Sequence, residues 1–94
     1  MTEGRIARKV RVTGRVQGVY FRGWTKSEAE RLKLGGWVRN EYDGSVAALI
    51  AGAPEAVKEM LRLMHRGPLD AQVENVAVEE ADAAQAPKGF EVLR

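Results

Sequence analysis

The sequence predicts an α+β domain in which two helices cover one face of a mostly antiparallel sheet. Three observations carry this prediction: runs of alternating apolar residues, two segments with helical periodicity, and a strong hairpin turn between two apolar runs. Of the 94 residues, 45% are hydrophobic and 30% are charged, which is ordinary for a globular domain. We therefore expect one domain over residues 1–94.

The first strand is predicted in "RIARKVRVTG", and a helix follows after a short connector. One face of the strand is formed by Ile6, Arg8, Val10 and Val12. Gly14 is expected to end this strand. From Arg22 the pattern becomes helical. Its three- and four-residue steps are carried by Trp24, Glu28, Ala29 and Leu32. The pair Gly35-Gly36 is expected to end the helix.

The middle of the chain predicts a β-hairpin. In "GWVRNEYDGSVAALIAG", two apolar runs flank Asp43-Gly44, a dipeptide typical of hairpin turns. We expect strands near residues 36–41 and 45–51, the second of which ends at Gly52.

The last part of the chain predicts a helix and two strands. "APEAVKEMLRLMHRGP" has Pro54 at the first helical position and Gly67-Pro68 at its end. Its apolar stripe is formed by Val57, Met60, Leu61 and Met64. "AQVENVAVEE" is a strand whose alternation slips between Val73 and Val76, which indicates a bulge, and "FEVLR" is a short last strand. The order β-α-β-β-α-β is the split βαβ, or ferredoxin-like, arrangement, which hosts many functions.

Several kinds of site are excluded by the residues that the sequence lacks. There is no cysteine, so a disulfide, a thiolate zinc site and a cysteine nucleophile are excluded. "GRVQG" matches neither a Walker A loop nor a dinucleotide-binding fingerprint. The single histidine, His65, lies in the last turn of a helix, where we expect it to cap carbonyls or to be exposed. We therefore do not expect a metal site. "MTEGRIARK" lacks an apolar stretch typical of signal peptides, so we expect a cytoplasmic protein.

Positive charge is concentrated in the first half of the chain, although the net charge is only +2. Residues 1–50 contain ten Lys and Arg against five Asp and Glu, whereas residues 51–94 contain five against eight. A basic first half favours an anionic ligand there. An uneven solvated surface is the alternative interpretation.

The connector "RVQGVYFR" has features of an anion-binding loop. Gly18 allows the backbone to approach a ligand closely, and the loop and the following helix N-terminus can offer N–H groups to an anion. Arg22 can bind a phosphate through two parallel hydrogen bonds. The apolar residues that can anchor the loop to the core are Val16, Val19 and Phe21. The alternative is an ordinary connector with surface arginines.

The segment "VTGRVQGVYFRGWTKSEAERLKLGGWVRNEYDGSVAALIAG" closely resembles the acylphosphatase family. The resemblance extends over about residues 5–93 and includes two separated motifs, "GRVQGVYFR" and "GWVRN". It implies a ferredoxin-like α/β sandwich that hydrolyses the carboxyl-phosphate bond of acyl phosphates without a metal or an organic cofactor. The implied substrate is a small-molecule acyl phosphate and the product is inorganic phosphate. We expect a monomer that binds neither nucleic acid nor membranes.

The resemblance implies that the catalytic residues are Arg22 and Asn40. Arg22 would hold the phosphoryl group, Asn40 would orient water, and the phosphate of the substrate would take the proton from that water. The implied phosphate-binding loop consists of Arg15, Val16, Gln17, Gly18, Val19, Tyr20 and Phe21. We expect Thr25 to support this loop or the first helical turn by a hydrogen bond. Because side chains alternate along a strand, Arg39 should face away from Asn40, and we expect Trp37 to lie in the core.

One departure from the family lies at Lys33, where the family usually has a glycine between two leucines. A glycine there would favour a left-handed helix end. We expect the lysine to shift that end toward Gly35.

Two other functions fit the same order of elements. RNA-recognition domains stack bases on aromatic residues of their central strands, but "SVAALIA" and the first strand contain no aromatic residue. The second alternative is a non-catalytic regulatory domain that keeps the fold and an anion pocket. The presence of both Arg22 and Asn40 argues against it, so hydrolysis of acyl phosphates is the preferred prediction.

Overall fold

The computed structural model describes residues 4–94, which form five strands and two α-helices. In chain order the elements are β1 (Ile6–Arg15), α1 (Phe21–Arg31), β2 (Gly35–Asn40), β3 (Val46–Gly52), α2 (Pro54–Met64), β4 (Gln72–Ala81) and β5 (Phe90–Val92). A short 3-10 helix, Ala83–Gln85, lies between β4 and β5. The predicted order β-α-β-β-α-β with a short last strand is confirmed. No helix in these residues is long and apolar enough to cross a membrane.

The five strands form one sheet in the order β4-β1-β3-β2-β5. All neighbours are antiparallel except β5, which runs parallel to β2. Both helices pack on the same face, and the main core lies between them and the sheet. Its buried residues include Val10, Val12, Val38, Val46, Ala48 and Ile50 from the strands, and Phe21, Ala29, Val57, Met60 and Met64 from the helices. A smaller cluster around Leu49 and Trp37 lies on the opposite face. This arrangement confirms the predicted fold class.

The second helix follows the predicted amphipathic pattern. Val57, Met60 and Met64 are buried and lie three or four residues apart, so one apolar stripe of α2 faces the sheet. His65 follows the last helical residue, and its Nδ1 lies 2.9 Å from the carbonyl oxygen of Leu61. The histidine is therefore an exposed helix cap, as predicted.

β1 and β4 pair through a bulge at the position where the sequence alternation slips. Thr13 pairs with Asn75, whereas Gly14 pairs with Val73, so Glu74 is the extra residue on β4. An inserted residue of this kind reverses the inward and outward alternation of a strand. The predicted bulge is confirmed.

The prediction that Gly14 ends the first strand is wrong. β1 continues through Gly14 to Arg15. The glycine is required for a different reason, since a Cβ at this position would lie 2.3 Å from the carbonyl oxygen of Gln72. The residue thus permits the close approach of the bulged strand.

The first helix ends earlier than the sequence predicted. α1 ends at Arg31, and Gly35 and Gly36 are the first two residues of β2, both paired with β3. A Cβ on Gly36 would lie 1.7 Å from the carbonyl oxygen of Leu49. Gly36 therefore permits a close contact between β2 and β3, whereas a Cβ on Gly35 would lie 2.1 Å from the carbonyl oxygen of Pro87 in the loop before β5. The prediction that the two glycines end the helix is wrong.

Lys33 itself adopts the left-handed conformation at the end of α1, with a φ of 62°. The N–H of Leu34 donates to the carbonyl of Ala29 at 2.8 Å, and the N–H of Lys33 donates to that of Glu30 at 3.0 Å. These are the two hydrogen bonds of a Schellman motif. The expectation that the lysine shifts the helix end toward Gly35 is therefore wrong. Leu34 and Ala29 are both buried in the core, and this packing holds the turn despite the lysine side chain.

The substitution Lys33→Gly should stabilise the protein. A left-handed residue with a Cβ costs about 1 to 2 kcal/mol, and glycine avoids this cost but loses more backbone entropy on folding. We expect the free energy of unfolding to rise by about 0.5 to 1 kcal/mol in urea denaturation. Lys26→Gly, in the middle of α1, is the control and should lower it by about 1 kcal/mol. A lower stability of Lys33→Gly would contradict the left-handed geometry.

Candidate active site

The loop between β1 and α1, residues 16–20, is fixed to the core by apolar side chains. Val16, Val19 and Phe21 are 1%, 8% and 2% exposed, and all three belong to the main core cluster. Phe21 also packs edge-on against Trp24, with the ring centroids 5.4 Å apart. The loop backbone therefore rests on a packed base, as its apolar residues predicted.

The backbone N–H groups of this loop are available to a ligand. Among residues 4–94, those of Gln17, Gly18, Val19 and Tyr20 donate to no protein acceptor. Gly18 has a φ of 75° and Tyr20 a φ of 67°, so the chain enters the left-handed region twice within three residues. Left-handed residues within a loop turn successive N–H groups toward one side, as in anion-binding nests.

The N-terminus of α1 adds positive potential next to the loop. Tyr20 occupies the N-cap position without a side-chain hydrogen bond, and the first turn contains no acidic residue. The first N–H groups of the helix thus lack a capping side chain. Arg22 lies in the same turn, where a cation is unfavourable for the helix dipole. This combination lowers helix stability and favours the binding of an anion.

The guanidinium of Arg22 is held by the end of the chain's last strand. Its Nη1 donates to the carbonyl of Leu93 at 3.1 Å, one residue after β5. Because β5 lies beside β2, this hydrogen bond holds the half-buried Arg22 side chain near the end of β2. The other guanidinium N–H groups have no acceptor within the described residues and can bind a ligand.

Asn40 is the last residue of β2 and lies opposite Val46 of β3. Val38, two residues earlier, is buried in the main core, so Asn40 points to the face of the sheet that carries the helices. Its side-chain amide makes no hydrogen bond in the part of the chain that the structure describes. Asn40 and Arg22 line the same cleft, which has a volume of about 300 Å³.

The cleft joins the two predicted catalytic residues to part of the predicted phosphate-binding loop. Its lining consists of Val16, Gly18, Tyr20, Phe21, Arg22, Gly23, Asn40 and Val92. Arg15 and Val19 do not line this cleft, and they border a separate depression beside residues 69–72. Gly23 and Val92 were not predicted from the sequence. No group of three or more His, Cys, Asp or Glu that could hold a metal ion occurs within residues 4–94.

The side chain of Gln17, for which no role was predicted, ties the loop to the β2–β3 hairpin. Its Nε2 donates to the carbonyls of Glu41 at 2.8 Å and Ser45 at 2.9 Å. These acceptors are 24 and 28 residues away along the chain, so no local sequence pattern could reveal them. The contact sets the distance between the loop and the strand end that carries Asn40.

The hairpin that receives Gln17 is itself held by Asp43 and Ser45. Asp43 Oδ1 accepts hydrogen bonds from the Ser45 N–H at 2.9 Å and from its hydroxyl at 2.6 Å. Arg11 donates to the other carboxylate oxygen at 3.1 Å. The hydrogen bonds from Ser45, together with the charge of Arg11, lower the pKa of Asp43 below its ordinary value. Their contribution to stability is present above that ordinary value and is lost only as the pH falls through the lowered one.

Thr25 lies beneath the first turn of α1 and does not reach the cleft. It is fully buried, and its Oγ1 donates to the carbonyl of Phe21 at 2.8 Å. The hydrogen bond ties together the first and fifth residues of the helix that carries Arg22. This is the kind of supporting contact that the sequence predicted.

Arg39 lies on the opposite side of the sheet from the cleft's helices, as the strand alternation predicted. Its guanidinium carbon lies 4.7 Å from the ring centroid of Trp37, and its Nε donates to Glu41 at 2.6 Å. Trp37 is half-buried and packs against the smaller cluster on that face. Both residues are therefore separated from Arg22.

The family relationship is shown by matches that extend along nearly the whole chain. A family model described as Acylphosphatase matches residues 8–92. The chain belongs to the acylphosphatase family. An acylphosphatase of Rhizobium meliloti is 61% identical over 94 residues, which cover 100% of this chain and 99% of that protein. The loop between β1 and α1 and the strand β2, which ends at Asn40, both lie within the matched residues.

Solved acylphosphatase structures have the same fold. The acylphosphatase from Coxiella burnetii superimposes with a TM-score of 0.90 at 34% identity, covering 95% of this chain and 93% of that one. The acylphosphatase from Bacillus subtilis gives a TM-score of 0.90 at 31% identity, covering 95% and 99% of the two chains. The predicted ferredoxin-like α/β sandwich is thus the architecture of its acylphosphatase relatives.

Gln17→Leu should loosen the loop. Two hydrogen bonds to the hairpin are lost, so we expect the free energy of unfolding to fall by about 1 to 3 kcal/mol. Inorganic phosphate should bind more weakly in calorimetry, because the loop is no longer tied to the hairpin. Gln85→Leu, at an exposed position of the 3-10 helix, is the control and should change neither quantity. Unchanged phosphate binding in Gln17→Leu would contradict a role for the loop–hairpin contact in the site.

Proposed function

We propose that the cleft at the β1–α1 loop is the active site at which this acylphosphatase hydrolyses the carboxyl-phosphate bond of acyl phosphates. One observation carries the proposal: Arg22 and Asn40 line a single cleft with Gly18 and Tyr20, which belong to a loop whose N–H groups donate to no protein acceptor among the described residues. Each group matches one requirement of the reaction. The products are a carboxylate and inorganic phosphate.

The loop and Arg22 bind the phosphoryl group. Its oxygens accept hydrogen bonds from the N–H groups of residues 17–20 and from the guanidinium N–H groups that do not contact Leu93. An arginine can bind two phosphate oxygens at once, which a lysine cannot do. The same donors stabilise the charge on the phosphoryl oxygens in the transition state, which is the main catalytic requirement in phosphoryl transfer.

Asn40 orients the attacking water. An amide cannot act as a base at neutral pH, but it can both accept and donate hydrogen bonds. The water oxygen attacks phosphorus as the bond from phosphorus to the carboxyl oxygen breaks, and the carboxylate leaves. The proton of the water passes to a phosphate oxygen of the substrate, so no protein base is needed. No covalent intermediate with the protein forms in this scheme.

The remaining parts of the proposal concern the working form of the protein. The substrate is a small-molecule acyl phosphate, and a monomer is sufficient because one chain supplies the loop, Arg22 and Asn40. The protein acts in the cytoplasm and uses neither a cofactor nor a metal. It has no nucleic-acid or membrane partner.

Purified protein should hydrolyse benzoyl phosphate with no added metal. A chelator such as EDTA should leave the rate unchanged, because the charge on the phosphoryl oxygens is balanced by Arg22 and backbone N–H groups. The measurement follows the loss of benzoyl phosphate absorbance with and without EDTA. A folded protein that binds phosphate without turnover would instead be a non-catalytic anion-binding domain.

Substitutions of Arg22 and Asn40 should have different effects. Arg22→Ala removes the guanidinium that binds the phosphoryl group. The inhibition constant of inorganic phosphate should therefore rise, and kcat should fall about 10²- to 10³-fold. Asn40→Ala should reduce kcat to a similar degree but leave phosphate inhibition nearly unchanged, because its partner is water.

Two further variants complete this comparison. Arg22→Lys restores the charge but not the two-pronged hydrogen bonding, so it should recover only part of the activity. Arg31→Ala, at the other end of α1, is the control and should behave as the unaltered protein. An equal loss of phosphate binding in Arg22→Ala and Asn40→Ala would contradict the proposed division of roles.

A further inference from the structure

Tyr20 is exposed at the mouth of the cleft. Its side chain is 73% exposed, although its neighbours Val19 and Phe21 are buried. Its backbone is in the left-handed region, which is uncommon for a bulky residue. Neither the packing of the core nor the capping of α1 uses its ring. The proposed hydrolysis gives the ring no role either.

The ring of Tyr20 lies against the backbone of Gly23. A Cβ added to Gly23 would lie 2.2 Å from Cε1 and 2.5 Å from Cζ of the tyrosine. Real side chains do not approach so closely, so the ring lies directly over the Cα of Gly23 on the first turn of α1. Gly23 and Tyr20 both line the cleft that contains Arg22 and Asn40. Because Gly23 has no side chain, it leaves the space that the aromatic ring occupies on the cleft wall.

The rest of this wall is apolar. Apart from Arg22 and Asn40, the side chains that line the cleft are Val16, Tyr20, Phe21 and Val92. Val16 and Phe21 are almost completely buried, so the ring of Tyr20 and the half-exposed Val92 offer most of the accessible apolar surface. A substrate whose phosphoryl group is bound by the loop and Arg22 must extend its acyl group along the remaining walls.

We propose that Tyr20 is a specificity-determining residue that binds the acyl group of the substrate, and that it selects acyl phosphates with a flat aromatic acyl group. The proposal rests on the proposed function of the cleft. An exposed aromatic ring binds a second ring favourably in stacked or edge-to-face contact. Its contact with a methyl group is much weaker. The preference is therefore measured as the ratio of kcat/KM for an aromatic acyl phosphate to kcat/KM for a small aliphatic one.

A second depression lies on the other side of Asn40 and represents the competing direction for the acyl group. It has a volume of about 570 Å³ and is lined by Gln17, Arg39, Asn40, Glu41, Tyr42 and Arg94. Its two arginines would favour an acyl group that carries a carboxylate. However, Arg39 already donates to Glu41 at 2.6 Å and lies over Trp37. The apolar wall at Tyr20 is the better match for an uncharged acyl group.

The test compares kcat/KM for benzoyl phosphate with that for acetyl phosphate. Tyr20→Ala removes the ring, and Gly23→Ala keeps the ring but displaces it. In both variants the benzoyl-to-acetyl ratio should fall about three- to tenfold, the size of one aromatic contact. Tyr20→Phe should keep the ratio of the unaltered protein. Tyr42→Ala, which removes the other exposed tyrosine, is the matched control and should also keep it.

The possible failures can be told apart. If the unaltered protein turns over neither substrate, the proposed function fails and this proposal fails with it. If both substrates are turned over and the ratio is unchanged in Tyr20→Ala and Gly23→Ala, only the role of Tyr20 is overturned. A strong preference of the unaltered protein for succinyl phosphate over benzoyl phosphate, lost in Arg39→Ala, would place the acyl group in the second depression and would also overturn it.

Discussion

The burial of Val16, Val19 and Phe21 is the constraint on which the site depends. Burial of a large apolar side chain contributes about 1.5 to 3 kcal/mol, which is enough to hold a loop whose backbone N–H groups make no internal hydrogen bonds. Without this anchoring, those N–H groups would turn to water or to neighbouring carbonyls. The hydrogen bonds of Gln17 to the hairpin add a second attachment. The N–H groups of the loop can therefore remain without a protein acceptor while the loop keeps its shape, and they are free to bind an anion.

The sheet supplies the rest of the geometry. β2 lies between β3 and β5. The end of β2, which carries Asn40, therefore lies beside the end of β5, where the carbonyl of Leu93 accepts a hydrogen bond from Arg22. The helix dipole, the free N–H groups and the guanidinium all favour negative charge in the same cleft. The hydrogen bonds that Asp43 accepts from Ser45 and Arg11 hold the adjoining hairpin turn in place. Rigid packing and electrostatics thus act on the same small volume.

Much of the fold could be predicted because its signals are local. The alternation of apolar and polar residues predicted the strands, the break in that alternation near Val73 predicted the bulge, and the Asp43-Gly44 turn predicted the hairpin. The errors arose where tertiary contacts override local preference. Gly36 is a glycine because β3 is close, and Gly35 because the loop at Pro87 is close, and not because a helix ends there. Lys33 is left-handed because the buried Leu34 and Ala29 hold the Schellman turn.

The sequence by itself determined the order of the elements, the family, and the residue types able to bind a phosphate and orient water. Only the tertiary structure decided which of them meet. It brought Arg22 and Asn40 to one cleft, left Arg15 outside its lining, and placed Gln17 and Leu93 where they support the loop and Arg22. It also set the ring of Tyr20 over Gly23. The physical reason is that strand pairing and core packing join residues distant in the chain, whereas sequence patterns report only neighbours within a few turns.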